Sequence, residues 1–530
     1  MQNWTFKTAT ALTALCLVSA CSGGGGGSSI SPPPPPPPPP PSTGGYTLDL
    51  LGILDGNSGS GQEIGRGIAV DSTGAIYVTG GTSSTNFPVT NGAYDTSLAT
   101  GGAQLGSEGA LDVFVAKFSP QGNLVWSTYL GGPNYDRAYA IQVDSAGDVY
   151  VAGRAGPGFP TTAGVVQPNF GGDNNRNSAY GAQDGFVTKL AGDGGSLIWS
   201  TYFGGASRGF IRDLDIDAQG RAHVGFIAYS NHPHITNDAA RTTRLGVADA
   251  GYAVISANGQ NVQYATYLGG TTVLPPSGNL PTLTPSVRVR SNGGTYVSYM
   301  DNANDVPVTA NAYQSSVKGH FDMVVTKFTP QRTVEWTTYL GGSSIDETET
   351  HGLAIDANDR PIIAGNTRSK DFPTTQGAYQ TSPGSSNNNI ADGFISILSA
   401  DGRSLYASTY FGGNQDDQIE GLSVLPDGTV IATGATFSSF LPTTGSAYQT
   451  YNAGGRDGLL AQFSANLSSV PYATYIGGTG DDTLNDVDVN AQGIIGFAGA
   501  AGSTPFPTVN SNDMTVDGSR GAMYGRLDTN

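Results

Sequence analysis

The sequence predicts an all-β chain: a seven-bladed β-propeller with four-stranded blades over residues 46–530, closed by an N-terminal outer strand. Three observations carry this. The phrase Tyr-hydrophobic-Gly-Gly returns six times, starting at Tyr129, Tyr202, Tyr267, Tyr339, Tyr410 and Tyr475. A fixed period of this kind decides architecture before any local reading. Between these phrases stand short apolar and β-branched runs bounded by Gly, Asp and Asn, with almost no helical periodicity. Composition agrees: 77 glycines in 530 residues and only 12% charged residues suit short strands and tight turns rather than long surface helices.

Each unit supplies four strand signals. An inner strand ends in Asp before a turn, as in Ile68-Ala69-Val70-Asp71 and Ile141-Gln142-Val143-Asp144. A Gly-containing hairpin leads to a second strand, Ile76-Tyr77-Val78-Thr79-Gly80 or Val149-Tyr150-Val151-Ala152-Gly153. The third opens with Asp, as in Asp112-Val113-Phe114-Val115 and Asp184-Gly185-Phe186-Val187. The fourth, outer strand ends in the Tyr-hydrophobic-Gly-Gly phrase, as in Leu124-Val125-Trp126-Ser127-Thr128-Tyr129-Leu130. The first three strands can be followed seven times, the outer one only six. Tyr46-Thr47-Leu48-Asp49-Leu50-Leu51-Gly52 stands before unit one and supplies the missing copy, so residues 46–52 are expected to complete the blade of residues 487–527 and close the ring. Units run to about 70 residues, beyond the ~40–45 of a minimal blade. The excess lies between the second and third strands and carries its own phrase: Phe87-Pro88-Val89-Thr90, Phe159-Pro160-Thr161-Thr162, Phe372-Pro373-Thr374-Thr375 and Leu441-Pro442-Thr443-Thr444. This reads as an ordered loop whose apolar residue plugs into the blade.

The N-terminus carries an address. Residues 1–20 read as a signal peptide, with an apolar run from Ala9 to Val18 too short to span a bilayer as a mature helix. Val18-Ser19-Ala20-Cys21 resembles the bacterial lipobox, which implies cleavage before Cys21 and diacylation of its thiol; Ser22 after it resembles lipoproteins sent to an outer membrane. Residues 21–45 then form a tether, a Gly/Ser stretch followed by Pro32 to Pro41. Ten prolines in polyproline II make a stiff spacer of roughly 30 Å. Cys16 and Cys21 are the only cysteines, so the mature head holds no disulfide, although it is expected to be exported. A net charge of −18 argues against a nucleic-acid partner and leaves Ca²⁺ binding open.

The ordered set Trp-Ser-Thr-Tyr-Leu-Gly-Gly, Ile-Ala-Val-Asp-x-x-Gly, Val-Tyr-Val-x-Gly, Phe-Pro-Thr-Thr and Asp-x-Phe-Val-x-Lys resembles the bacterial SBBP repeat over nearly all of residues 46–530. The resemblance implies a seven-bladed propeller and extracytoplasmic placement. It implies no shared catalytic residues.

Candidate sites fall into three groups. An acidic residue recurs ahead of the inner strand: Glu63, Asp136, Asp417 and Asp482, with Asp346 or Glu347 displaced in unit five. Such carboxylates could ring one channel mouth and hold Ca²⁺ or a cationic ligand, or each could accept backbone N–H groups in its own turn; the second is favoured. The Asp residues opening the third strand (112, 184, 249, 322, 392, 457) look architectural. Unit three replaces the Phe-Pro phrase with His232-Pro233-His234, and with Asp238 these could ligate a metal or be exposed loop residues. Unit four places Arg288 and Arg290 where other units favour Asp, by drift or as a binding surface. No lipase elbow, His-Glu-x-x-His or phosphate loop is present; the pair Glu349–His351 is weak evidence of acid–base chemistry.

The expected function is therefore a lipid-anchored, monomeric extracytoplasmic scaffold that binds protein or glycan through its faces and loops. The alternatives are a hydrolase or lyase at the channel mouth near units three to five, which requires His223, His232, His234 and His351 to cluster, and a structural envelope or matrix protein.

Overall fold

The computed structural model describes residues 46–529 apart from 57–60, 173, 175–176, 272–282 and 512–515. The signal peptide, Cys21, the proline tether and most of the loop leading into unit four lie outside the described residues. Among those described, the chain forms seven antiparallel sheets and no helix. In blade one the strands are Glu63–Val70, Ile76–Thr82, Val113–Phe118 and Leu124–Leu130, paired in that order from the channel outward. The other inner strands are Arg137–Val143, Gly209–Ile216, Ser286–Val289, Asp346–Glu347 with Leu353–Ile355, Asp417–Val424 and Thr483–Val489.

Blade seven is built from both ends of the chain. Thr483–Val489, Ile495–Ala501 and Gly521–Thr529 pair in sequence order, and Tyr46–Leu54 adds antiparallel as the outer strand. Tyr46 lies opposite Thr529 and Leu54 opposite Ala522. The strand runs two residues beyond the expected 46–52 because Ile53 and Leu54 also point into the core. Closure leaves no inner seam, and Asp49 pairs with Arg526 on its exposed side.

The hydrophobic core is divided among the seven junctions between blades. One apolar cluster joins Val113, Val115 and Leu130 of blade one to Val149, Val151 and Phe186 of blade two. Another joins Leu50, Ala498 and Tyr524 of blade seven to Ile68, Val78 and Phe114 of blade one. Indoles fasten neighbours together: Trp126 Nε1 donates to Gly192 O, Trp199 to Ala257 O and Trp336 to Ala400 O, each on the next blade.

The repeated phrase organises the face that carries the long loops. Its tyrosine hydroxyl receives the N–H of the plug residue of the insertion: Phe87 to Tyr129, Phe159 to Tyr202, Phe372 to Tyr410 and Leu441 to Tyr475, at 2.7–3.0 Å. Its second glycine donates to the acidic residue four positions on: Gly132 to Asp136, Gly342 to Asp346, Gly413 to Asp417 and Gly478 to Asp482. The first glycine is needed for room, since a Cβ on Gly412 would lie 2.6 Å from oxygens of both Asp392 and Asp417.

Candidate functional site

The channel is lined by the inner strands, and five of these carry a register shift near their loop-face end, between Gly65/Gly67, Ala138/Ala140, Ile211/Asp213, Ile419/Gly421 and Leu484/Asp486. A bulge leaves one residue out of the ladder and re-aims it. Those residues are Arg66, Tyr139, Arg212, Glu420 and Asn485. Blade five has two extra residues between Asp346 and Asp356 compared with Glu63 to Asp71, which split its inner strand and put Glu349 and His351 on the axis.

His351 closes the channel at this level. Its Nε2 lies 3.1 Å from Arg66 O and 3.0 Å from Tyr139 O, in blades one and two across the ring. Its Nδ1 lies 3.6 Å from carboxylates of Asp213 and Asp486, in blades three and seven. Two carbonyls on one nitrogen and two carboxylates on the other leave both ring nitrogens as donors, the imidazolium form. Burial opposes that charge, but Asp486 and Asp213 outweigh it and raise the His351 pKa.

Below the plug, toward the short hairpins, lies a cavity of about 380 Å³ lined by Asp213, Asp215, Arg288, His351, Asp486 and Asp488 among others. The carboxylates are structural as well as polar. Asp213 accepts from Val287 N and Asp215 from Val289 N, tying blade three to blade four. Asp486 accepts from Ile68 N and Asp488 from Val70 N, tying blade seven to blade one. Arg288 Nη1 reaches Asp213 Oδ2 at 2.6 Å, so the unit-four arginine answers a unit-three acid. Arg290, which lines the same cavity, bonds Asp356 O and pairs with Asp359.

Above the plug, on the loop-bearing face, the mouth is rich in arginine and tyrosine. Arg154 stacks 3.8 Å from the Tyr180 ring and 5.0 Å from Tyr135. Arg137 lies 4.9 Å over Tyr139 and donates to its hydroxyl at 2.8 Å. Arg212 lies 4.4 Å over Tyr139, and Arg208 4.1 Å over Tyr229. Buried N–H groups without a hydrogen-bond partner remain on Arg154 (Nε and Nη2), Arg137, Arg66 and Arg212 (Nε in each), although Arg137 and Arg154 are only 9% and 4% exposed. Burial alone would raise the Tyr139 phenol, but Arg137, Arg154 and Arg212 override it and hold it at about 6. The opposing charges are Glu349, 4.0 Å from Arg212, and Glu420.

Residues 50–88 and 125–159 match the SBBP family of β-propeller repeats. The chain is a seven-bladed β-propeller that carries SBBP repeats. The chain is also 24% identical over 393 residues to the regulatory protein FlaEY of Caulobacter vibrioides, covering 73% of this chain and 38% of that protein; it thus spans well under two thirds of that relative. Among solved structures, polysaccharide lyase Uly1 aligns over 91% of this chain and 98% of its own at 9% identity and TM-score 0.43. Quinohemoprotein alcohol dehydrogenase of Comamonas testosteroni aligns over 91% and 76% at 12% identity and TM-score 0.38.

The geometry decides between the readings that the sequence left open. Glu63, Asp136, Asp346, Asp417 and Asp482 do stand one per blade at the loop-face end of the inner strands, but they do not converge on the channel. Each is buried and engaged locally: Asp136 accepts from Gly132 and Gly156, Asp417 from Gly413 and Ser438, and Glu63 from Thr82. Among the described residues no three His, Cys, Asp or Glu side chains gather closely enough to hold a metal ion, so His232, His234 and Asp238 form no ligand set. His232 takes the plug position of unit three, its N–H on Tyr267 and its ring 4.4 Å from Phe203; burial, then His234, depresses its pKa to about 3. His234 bonds Gln167, and Asp238 is exposed. The four histidines do not cluster: His223 bonds Asp217 and Tyr252 inside blade three, and His351 sits in the channel. Glu349 faces Arg212 while His351 faces Asp213, so they do not act as a pair.

Sequence reasoning missed Arg66, Arg137, Arg154, Arg208, Arg212 and Tyr139. Arginine at these places breaks the repeat only one unit at a time. The bulge that turns Arg66, Tyr139 and Arg212 into the channel is invisible in a strict two-residue period. A usable signal was Asp213-Leu214-Asp215 and Asp486-Val487-Asp488, paired acids at inner-strand positions where no other blade has an acid.

Proposed function

We propose that this propeller is a binding scaffold that captures an anionic ligand at its loop-bearing channel mouth, held to an outer membrane through lipidated Cys21 and set off from it by the proline tether. The observation that carries the reading is the group of buried guanidiniums with partnerless N–H donors. A buried donor without a partner costs about 1–3 kcal/mol, more when charged. Several arginines crowded together also repel one another: burial, then Arg137, lowers the Arg66 pKa. An oxoanion removes both penalties, because guanidinium presents paired N–H groups that match carboxylate or sulfate. The His351 plug gives the mouth a floor, so the site is a blind basin rather than a pore. Binding by the monomeric head is the reading chosen over an inert spacer, which has no use for unpaired buried charge.

A second reading has one observation in its favour. A phenol held near 6 is matched to proton abstraction at neutral pH, which would make Tyr139 a base acting on the captured ligand. Calorimetric titration of the full-length chain in detergent with sulfate, citrate and galacturonate tests the main reading. Heat and a thermal shift that vanish in Arg154→Gln are expected; no response to any anion refutes it. Turnover of the bound ligand that is lost in Tyr139→Phe would bring the second reading forward.

A further inference from the structure

The cavity below His351 repeats one device and leaves one copy out. Val70, Ile216, Val289 and Val489 each end an inner strand beside its hairpin. Asp488 accepts from two of them at once, Val489 N on Oδ1 and Val70 N on Oδ2, both at 2.8 Å. Asp215 does the same for Ile216 N and Val289 N, at 2.8 and 2.7 Å. One carboxylate thus bridges the ends of two neighbouring inner strands, at the junction of blades seven and one and at that of blades three and four. A level higher, Asp486 bridges Val487 N and Ile68 N, and Asp213 bridges Leu214 N and Val287 N.

Blades five and six are neighbours too, and their lower bridge is missing. Ile355 and Val424 end their inner strands opposite Pro361 and Val430, in the register of Val489 opposite Ile495 and Val70 opposite Ile76. Pro361 has no N–H, so its pair with Ile355 cannot exchange both ladder bonds, and the Ile355 N–H is left to the axis. Among the described residues neither Ile355 N nor Val424 N meets an acceptor. The residue in the place of Asp215 and Asp488 is Ala354, which has no oxygen to offer. Ala354, Ile355 and Val424 all line the cavity of about 380 Å³, a volume within the range of small-molecule pockets, about 300–1,000 Å³. At the higher level His351 itself bridges to Gly421. Blade two has no unbridged neighbour with which to share a carboxylate. The place of one carboxylate is therefore open.

We infer that this cavity binds a small aminocarboxylate, a molecule with one carboxylate and one ammonium group, whose carboxylate bridges Ile355 N and Val424 N as Asp488 bridges Val489 N and Val70 N. Arg290, bonded to Asp356 O next to Ile355, adds positive charge on this side. The need for an ammonium follows from the rest of the wall. Asp213, Asp215, Asp486 and Asp488 face the cavity against His351 and Arg288, while Arg290 is already paired with Asp359. A bare anion would add to that excess of negative charge; a ligand that carries its own cation does not. Asp213 and Asp486 are engaged by His351, and Asp213 by Arg288 as well. Asp215 and Asp488 each hold two backbone N–H groups, and Arg288 acts on both without bonding either. An ionised carboxylate offers about four lone-pair sites, so these two retain acceptors for the ammonium. His351 shuts off the loop-bearing mouth, so the ligand enters between the hairpins. The site is separate from the anion site proposed above, and either can fail without the other.

The test is calorimetry on the full-length chain in detergent with glycine, β-alanine and γ-aminobutyrate, beside butyrate and butylamine, which carry one charge each. At least one aminocarboxylate is expected to bind roughly tenfold or more tighter than either singly charged analogue, the worth of one charge-assisted hydrogen bond. It should also slow amide hydrogen exchange in the peptides that contain Ile355 and Val424. Ala354→Asp supplies the bridge from within and should abolish binding. Ala354→Leu fills the same space without an acceptor and should abolish it too; a melting curve shows that each variant folds, and hydrogen exchange on the unaltered chain decides if neither does. No binding of any aminocarboxylate overturns the inference. So does butyrate or butylamine binding as tightly, exchange unchanged in both peptides, or full affinity retained in a folded Ala354 variant.

Discussion

Removing the closing strand is the sharpest perturbation of this ring. Tyr46–Leu54 contributes Leu48, Leu50, Leu51, Ile53 and Leu54 to the blade-seven core, all buried. At about 1.5–3 kcal/mol for each fully buried aliphatic side chain, the strand contributes on the order of 7–15 kcal/mol, an upper range because the unfolded chain already hides some of this surface. That is comparable with the whole stability of a typical domain, about 5–15 kcal/mol. A chain starting at residue 55 is therefore expected to lose its cooperative melting transition by circular dichroism. It should also associate through the bared edge of Gly521–Thr529, seen as oligomers in light scattering. A chain starting at residue 46 should melt cooperatively as a monomer. The single substitution Ile53→Ala gives a graded version, with a loss of about 2–5 kcal/mol in urea unfolding. The reasoning is refuted if the chain from residue 55 melts cooperatively within a few degrees of the longer one and stays monomeric.

Other consequences follow from the channel and the junctions. Anion affinity should rise as pH falls through about 6, because the Tyr139 phenolate competes for Arg137, Arg154 and Arg212 until it is protonated; calorimetry across that range, with the tyrosinate absorbance near 295 nm as the readout, should lose this dependence in Tyr139→Phe. His351→Ala leaves Asp213 and Asp486 facing an empty axis and should cost roughly 3–5 kcal/mol, the scale of breaking a buried ion pair, measured by chemical denaturation. Burial, then the Asp136 charge, pushes Asp112 up to about 9; burial likewise pushes Asp136 to about 8 and Asp346 and Asp417 to about 7. A carboxyl raised above its unfolded value contributes stability that is complete below that value and is lost as pH climbs through the folded one. The melting temperature should thus fall between about pH 5 and about pH 9, and a rise would contradict the assignment.

The repeat made the architecture legible because each blade repeats the same local problem of four short strands, a tight hairpin and a plugged insertion. The copy number of the outer strand even located the closure. The acidic residues before the inner strands were legible as positions but ambiguous as chemistry. Only the distances show that the glycine three residues after the tyrosine donates to Asp136, Asp346, Asp417 and Asp482. His232 misled because a histidine in place of Phe looks like a ligand in one dimension and is a ring packed on Phe203 in three.

What this sequence determined by itself is the ring: the number of blades, the strand that seals it, the plugged loops and the lack of cysteine for a disulfide in the head. Those follow from periodic patterning and turn chemistry, which are local. What only the tertiary structure decided is the axis. Which residues meet there depends on bulges that turn Arg66, Tyr139 and Arg212 inward, and on a two-residue insertion that drives His351 across to blades one, two, three and seven. Those partners are up to 285 residues away in the chain, and no local pattern encodes a meeting that ring closure alone brings about.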